Sequence, residues 1–327
     1  VATFLVDFIM NFSNIFFRWC ANIVFLLGTI TSIGVSHALL PTDLAPKKIV
    51  WVTDMHLNDG NLDAFTLAMQ GNNIEAIFMT GDIANADLIQ TLRIIANKVT
   101  VPIYFILGNS DHAYGDKIDQ VRRDLKVLMQ EKPNLHYLYN EIKFFDATSK
   151  GIKTAIVGLD GYADSWKINP EQIKSDIAVF ESSVEDAITQ GAQRVVILTH
   201  VPPYSSDCWY NGEPTSEDRA MDYSSTSSGD SLSKLANKHP NVTFVVYAGH
   251  THNSSYQVYP KGKTLSNPNI SVYVGNKFTA SAANRSLSMY TLPQVSYAQS
   301  FYALKLDDFL PESFSYKRGK EVVDWHR

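Results

Sequence analysis

From Lys47 onward, apolar runs alternate with amphipathic segments. The runs "KIVWVTD", "IEAIFMTGD", "PIYFILGN", "RVVILTH" and "VTFVVYAGH" share a β-branched or aromatic core that stops abruptly at a polar residue. Continuous apolar runs of this length predict strands buried on both faces. Between them, Leu62–Gln70, Asp87–Lys98, Lys117–Gln130 and Gln172–Thr189 carry helical spacing, as in Ile118, Val121, Leu125 and Leu128. Strands alternating with helices predict a largely parallel, helix-covered sheet. "HYLYN", "IKFFDA" and "TAIVGLDG" follow without helical spacers, which predicts an antiparallel or second-sheet portion. The expected fold class is therefore α/β, with two packed mixed sheets flanked by helices. After Lys263, "ISVYVGN" and "FYALKLDD" are expected to close the second sheet, and the Ser-rich Tyr223–Ser231 is expected to be a solvated loop.

Composition narrows the function classes. At 327 residues, 45% hydrophobic and 19% charged, the chain can bury a large core and lacks the signature of disorder. A net charge of -5 argues against general affinity for nucleic-acid backbones. Trp19–Leu40 contains no Asp, Glu, Lys or Arg. From Met10, one positive charge at Arg18, an apolar segment and "SHA" read as a signal peptide cleaved after Ala38. The alternatives are an uncleaved signal anchor and a buried N-terminal helix. Gly28, Thr29, Thr31, Ser32 and Gly34 interrupt the apolar segment, which favours cleavage over a stable anchor of roughly 20 apolar residues. The organisation expected is an N-terminal extension with signal peptide over 1–38 and a globular domain over 39–327, exported to the periplasm or secreted, or held at a membrane if the segment stays. Cys20 would leave with the signal, so Cys208 alone could form no internal disulfide.

The polar residues that end the five runs carry the chemistry. They are Asp54 with His56, Asp82, Asn109, His200, and His250 with His252. In an extended backbone, residues two apart share a face, so each pair would aim at one point. Asp54, Asp82 and Asn109 recur at close to the roughly 30 residues of a strand–helix–strand unit, which places their strand ends on one edge of a parallel sheet. Asp-x-His alone is a weak signal. Seven potential ligands ending buried strands have a shared explanation in a metal site, whereas burying them unpaired would be costly.

In this order the motifs resemble the calcineurin-like metallophosphoesterase superfamily. Its Asp-x-His, Gly-Asp, Gly-Asn-His-Asp/Glu, His and Gly-His-x-His signature is matched by "DMH", "GD" at Gly81, "GNSD", "TH" at Thr199 and "GHTH". "THVPPYSSDCWYNG" and "GLDGYAD" further resemble bacterial members, and the likeness runs from about Lys47 to His252. It implies that Asp54, His56, Asp82 and His252 hold one metal ion, and Asp82, Asn109, His200 and His250 a second, with Asp82 shared. Imidazole, carboxylate and amide donors suit divalent or trivalent Mn, Fe or Zn better than Ca or Mg. The implied reaction is hydrolysis of a phosphomonoester or small phosphodiester through a metal-activated hydroxide.

One position departs from the signature: Ser110 stands where the superfamily's histidine donates a proton to the leaving group. A serine hydroxyl is too weak an acid near neutrality for that task. His112, two residues on, is either its replacement as general acid or a polar loop residue. Asn109, His200 and His112 are thus the residues expected at the reacting centre. Tyr114, Asp160, Tyr162, Trp209 and Tyr210 are expected to line the pocket, or to belong to core or rim. The competing reading is a catalytically weak scaffold of the same fold that binds a partner. A nuclease lacks its basic signature. Substrate identity and oligomeric state are not encoded in these motifs.

Overall fold

Fifteen strands and five helices carry the described part of the chain. The strands are β1 (Lys48–Val52), β2 (Ile74–Thr80), β3 (Ile103–Ile106), β4 (Leu135–Tyr137), β5 (Ile142–Phe145), β6 (Thr154–Leu159), β7 (Arg194–Thr199), β8 (Trp209–Tyr210), β9 (Glu213–Pro214), β10 (Thr243–Ala248), β11 (Ser255–Tyr259), β12 (Ile270–Val274), β13 (Tyr302–Lys305), β14 (Ser313–Arg318) and β15 (Glu321–His326). The helices are α1 (Leu62–Met69), α2 (Leu88–Lys98), α3 (Ile118–Glu131), α4 (Pro170–Thr189) and α5 (Thr226–Lys238). The computed structural model describes residues 48–58, 61–69, 74–85, 87–111, 117–145, 151–163, 168–204, 209–210, 213–214, 224–252, 255–259, 269–275, 302–305, 309–311, 313–318 and 321–326. The signal segment expected at 1–38, together with His112, Tyr114 and Cys208, lies outside the described residues. Among the described residues, no helix is long and apolar enough to cross a membrane.

Two mixed sheets form the centre, as the alternation of runs predicts. The first has the order β13-β1-β2-β3-β4, the second β11-β12-β10-β7-β6-β5. In the first, β1 to β4 are parallel and β13 is antiparallel to β1. In the second, β12, β10, β7 and β6 are parallel, with β11 and β5 antiparallel at the two edges. "ISVYVGN" thus extends the second sheet as expected. "FYALKLDD" does not: it returns to the first sheet and covers the edge of β1.

Strands buried on both faces need a layer on each side. Between the sheets, Trp51, Phe78, Tyr104 and Ile106 of one meet Ile156, Leu198, Tyr247 and Tyr273 of the other. Trp51 Nε1 donates to Thr80 Oγ1 at 3.0 Å, so the largest side chain of this layer leaves no polar atom unmet. Outside the first sheet, Val52, Met79 and Phe105 pack against Phe65, Leu92, Ile95, Leu125 and Leu128 of α1 to α3. Outside the second, Val195 and Phe244 pack against Phe180 and Val184 of α4 and Leu232 and Leu235 of α5. The result is a helix–sheet–sheet–helix sandwich.

Helix α5 corrects the solvated-loop expectation over 226–231. Ser225 caps it through Oγ, which accepts from the Ser228 amide at 3.3 Å, and Ser228, Gly229 and Ser231 are buried. A Cβ at Gly229 would run into the Pro203 carbonyl, so the small, polar composition that reads as a loop serves close helix packing. Ser225→Ala should cost about 1 kcal/mol of stability, read as a lowered denaturation midpoint at constant slope.

Candidate metal centre

The ends of β1, β2 and β3 from the first sheet and β7 and β10 from the second meet at one place. Backbone bonds continue the β1–β2 pairing past the strand ends: Asp54 N–H donates to Gly81 O at 3.2 Å, His56 N–H to Asp82 O at 2.8 Å and Leu57 N–H to Ile83 O at 2.8 Å. Across the sheets, the His250 N–H donates to Asp54 Oδ1 and Oδ2 at 3.1 and 3.0 Å.

The backbone at these ends is not extended. Asp54, His56, Asp82, His250 and His252 have φ of 49°, 44°, 50°, 67° and 55°. They make up five of the seven non-glycine residues with positive φ among the described residues. Left-handed residues each cost on the order of 1 kcal/mol, least for Asp, Asn and His, and persist where their surroundings hold them. The inter-loop hydrogen bonds supply that hold. Asp-x-His and His-x-His converge because alternate residues are left-handed, which turns the loop sharply.

One cluster meets the requirements for a cation. Donor atoms of Asp54, His56, Asp82 and His252 all lie within 4.8 Å of one another. His56 Nε2 is 3.4 Å from His252 Nε2 and 3.5 Å from Asp82 Oδ2, and His252 Nε2 is 3.3 Å from Asp54 Oδ1. Two imidazole nitrogens and two carboxylate oxygens that converge on one point can be satisfied by imidazole protons or by a cation among them, and a cation would engage all four. Asp54 and Asp82 are buried, while the His252 side chain is 41% exposed and forms the open side.

A second group lies against the other face of Asp82. His200 Nε2 is 3.4 Å from Asp82 Oδ1 and 3.0 Å from Asn109 Oδ1, and His250 Nδ1 is 3.1 Å from that same amide oxygen. His200 Nδ1 lies 2.9 Å from the Thr80 carbonyl, which can only accept. Nδ1 therefore carries the proton, and in the neutral ring Nε2 presents its lone pair to Asn109 and Asp82. This is the outer hydrogen bond expected behind a metal-binding imidazole. The donor set fits divalent ions of intermediate softness.

Electrostatics point the same way. Burial pushes the Asp54 carboxyl up, but bonding to His252, the charges of His200 and His252 and the Thr53 hydroxyl outweigh it, lowering its pKa to about 2. It stays ionised through the physiological range. Burial lowers the His200 pKa, yet the charges of Asp82 and Asp54 and its bond to Thr80 raise it overall. The pocket's field thus favours cations.

Sequence reasoning missed the residues that hold the candidate ligands. Asn85 Oδ1 lies 3.1 Å from His56 Nδ1 while its Nδ2 donates to the His56 carbonyl at 3.0 Å, which turns Nε2 of His56 inward. Asp111, fully inside, accepts from the amides of Ile83, Ala84 and Gly108 at 3.0 to 3.1 Å and ties the β2 loop to the β3 loop. Burial, then the charge of Asp82, push its carboxyl up to about 7 despite these three donors. The only sequence signal for Asp111 is its place in "GNSD".

Ser110 has a definite task. Its N–H donates to Asp82 Oδ1 at 2.8 Å and its hydroxyl to Asp82 Oδ2 at 3.0 Å. The hydroxyl proton is engaged on the carboxylate. Of the residues expected in pocket, core or rim, Asp160 and Tyr162 take the core alternative: Asp160 is 1% exposed, and the Tyr162 hydroxyl donates to the Ile173 carbonyl at 3.0 Å. The side chains of Trp209 and Tyr210 lie outside the described residues.

Gly249 keeps the two sheets in contact at the site. A Cβ there would overlap the Thr53 hydroxyl and Asp54 Oδ2. Gly249→Ala should destabilise by about 1–3 kcal/mol and displace Asp54, and thermal melts with and without Mn²⁺ should show the metal-dependent gain shrinking.

No curated protein sequence matches the chain. Among solved structures, the TT1561 protein of Thermus thermophilus is 11% identical, with 86% of this chain and 99% of that one covered and a TM-score of 0.46. GAP50, the anchor in the inner membrane complex of Plasmodium, is 10% identical, with 86% and 88% covered and a TM-score of 0.47. PhoD is 13% identical, with 86% and 70% covered and a TM-score of 0.46. Such distant likenesses add nothing about chemistry. The sequence model for calcineurin-like phosphoesterases, however, matches residues 47–254, which take in the ends of β1, β2, β3, β7 and β10 that meet at the site. The chain belongs to the calcineurin-like phosphoesterase family.

Proposed function

We propose that the chain is a metal-dependent phosphoesterase that hydrolyses a phosphomonoester or small phosphodiester at a dinuclear centre. The observation that carries this reading is the position of Asp82. Its Oδ2 faces the His56 group at 3.5 Å and its Oδ1 faces the His200 group at 3.4 Å. A carboxylate so placed is suited to bridging. Asp54, His56, Asp82 and His252 would hold one ion and Asp82, Asn109, His200 and His250 the other, with Mn, Fe or Zn the ions the donors suit. When bound, such a pair supplies positive charge to phosphoryl oxygens and lowers the pKa of water.

The protein's own groups set the rest. Ser110 holds both oxygens of Asp82 in place. Asn109 contributes a neutral donor that does not repel an anionic ester. The partly exposed His252 and Asn109 mark the side from which substrate enters. His112 is the general acid in this proposal, because the Ser110 hydroxyl is already spent on Asp82. An export signal over 1–38 belongs to the same proposal.

The test is phosphate release from an aryl phosphomonoester by the purified chain loaded with Mn²⁺, followed by chelation and metal return. Turnover lost on chelation and restored with metal is expected. Metal-loaded protein without turnover on aryl mono- or diesters would move the reading to the scaffold.

A further inference from the structure

The ligands belong to two separate halves. Asp54, His56, Asp82 and Asn109 follow strands of the first sheet, while His200, His250 and His252 follow strands of the second. The Asn109 oxygen meets His200 and His250 only if the β3 loop keeps its place against the second sheet. A buried polar network crosses the sheets beside that loop. The Leu107 N–H, two residues before Asn109, donates to Asp160 Oδ1 at 3.0 Å. Asp160 follows β6 of the second sheet and is 1% exposed. Its neighbour Gly161 is packed so closely that a Cβ there would sit 2.7 Å from Thr199 Oγ1 and the Val201 amide, the residues on either side of His200. Asp160 therefore joins the chain ahead of Asn109 to the chain around His200.

Asp160 is itself locked. Its Oδ2 accepts from Arg122 Nη2 at 3.1 Å and from the Tyr137 hydroxyl. The same guanidinium reaches Asp176, Nη1 to Oδ1 at 3.5 Å and Nη2 to Oδ2 at 3.4 Å, and lies 3.5 Å over the Tyr139 ring. The Tyr139 hydroxyl donates to Asp176 Oδ1 at 2.9 Å. Arg122 comes from α3 over the first sheet and Asp176 from α4 over the second. Two buried carboxylates around one guanidinium are a costly way to satisfy a single amide, since apolar packing often stabilises as well. What a multiply bonded network adds is fixed geometry.

We propose that Asp160, held by Arg122, is a positioning residue that sets the Asn109 loop against His200. The proposal rests on the metal-centre reading above for its consequence, and on the Leu107–Asp160 bond for its cause. Its test therefore has two readouts on the purified chain: exchange of the Leu107 amide without metal, and the affinity of the weaker-binding Mn²⁺ by titration. Asp160→Asn retains an acceptor oxygen for Leu107, whereas Asp160→Ala removes it. The expected result is faster Leu107 exchange and about 10- to 100-fold weaker Mn²⁺ binding in Asp160→Ala, with Asp160→Asn, which keeps the Leu107 acceptor but faces Arg122 and Tyr137 with an NH₂, intermediate between Ala variant and parent in both. Equal Mn²⁺ affinity in Asp160→Ala and parent would overturn the proposal, as would equal damage in the Asn and Ala variants.

If the Ala variant does not fold, Arg122→Lys decides. It keeps the charge but loses the fork, and should speed Leu107 exchange and weaken Mn²⁺ binding, while parent-like values would overturn the proposal. A parent chain that binds no Mn²⁺ would count against the metal reading instead, and the exchange comparison would still decide the role of Asp160.

Discussion

Asp82→Asn should lower kcat/KM for a phosphate ester by roughly 10³-fold, the largest loss expected from any one substitution. The carboxylate accepts two bonds from Ser110 and faces an imidazole nitrogen with each oxygen. An amide keeps one acceptor but turns an NH₂ toward a Ser110 donor and an imidazole nitrogen whichever way it lies, and it deletes the charge shared by both donor groups. Metal stabilisation of a phosphoryl transition state is worth several kcal/mol, and about 1.4 kcal/mol is tenfold in rate, which gives the estimate. Steady-state kinetics on parent and variant at saturating Mn²⁺ would check it. A loss below tenfold would mean that Asp82 is not shared between ions.

The largest effect on stability should come from Arg122→Met. Methionine matches the stem of arginine but leaves Asp160 and Asp176, 1% and 4% exposed, without their common counter-charge. Breaking a buried pair from one side costs about 3–5 kcal/mol, because the remaining charge stays uncompensated. For a domain of this size that corresponds to a fall in Tm on the order of 10 °C. Adding Asp176→Asn to Arg122→Met should recover part of the loss, since it removes one orphaned charge. A thermal melt of the four proteins of the cycle would show this coupling, and additivity would contradict it.

The layers were legible because burial of both faces writes itself as continuous apolar runs, and α1 to α4 because their apolar residues recur at helical spacing. The edge taken by β13 was not legible. An antiparallel strand of four residues carries no mark of which sheet edge it will join. Helix α5 was hidden because Ser228, Gly229 and Ser231 meet the core with small groups where periodicity looks for large apolar ones. At the site, the ligand types and order were visible, but the way they converge was not. An extended backbone was the expectation, and five left-handed residues are the finding. Asn85 and Asp111 escaped notice because the contacts that give them their role, Asn85 with His56 and Asp111 with the Ile83 and Ala84 amides, join residues 27 to 29 positions apart. Asp160, in turn, reads as pocket, core or rim until its bonds to Leu107 and Arg122 place it behind the site.

Metal content tests the central claim most directly. The purified chain, stripped of metal and titrated with Mn²⁺, should bind two ions, and Asp82→Asn should bind one at most, because both donor groups include Asp82. A parent that binds a single ion, or an Asp82→Asn variant that binds two with the parent's affinities, would contradict a dinuclear centre bridged at Asp82.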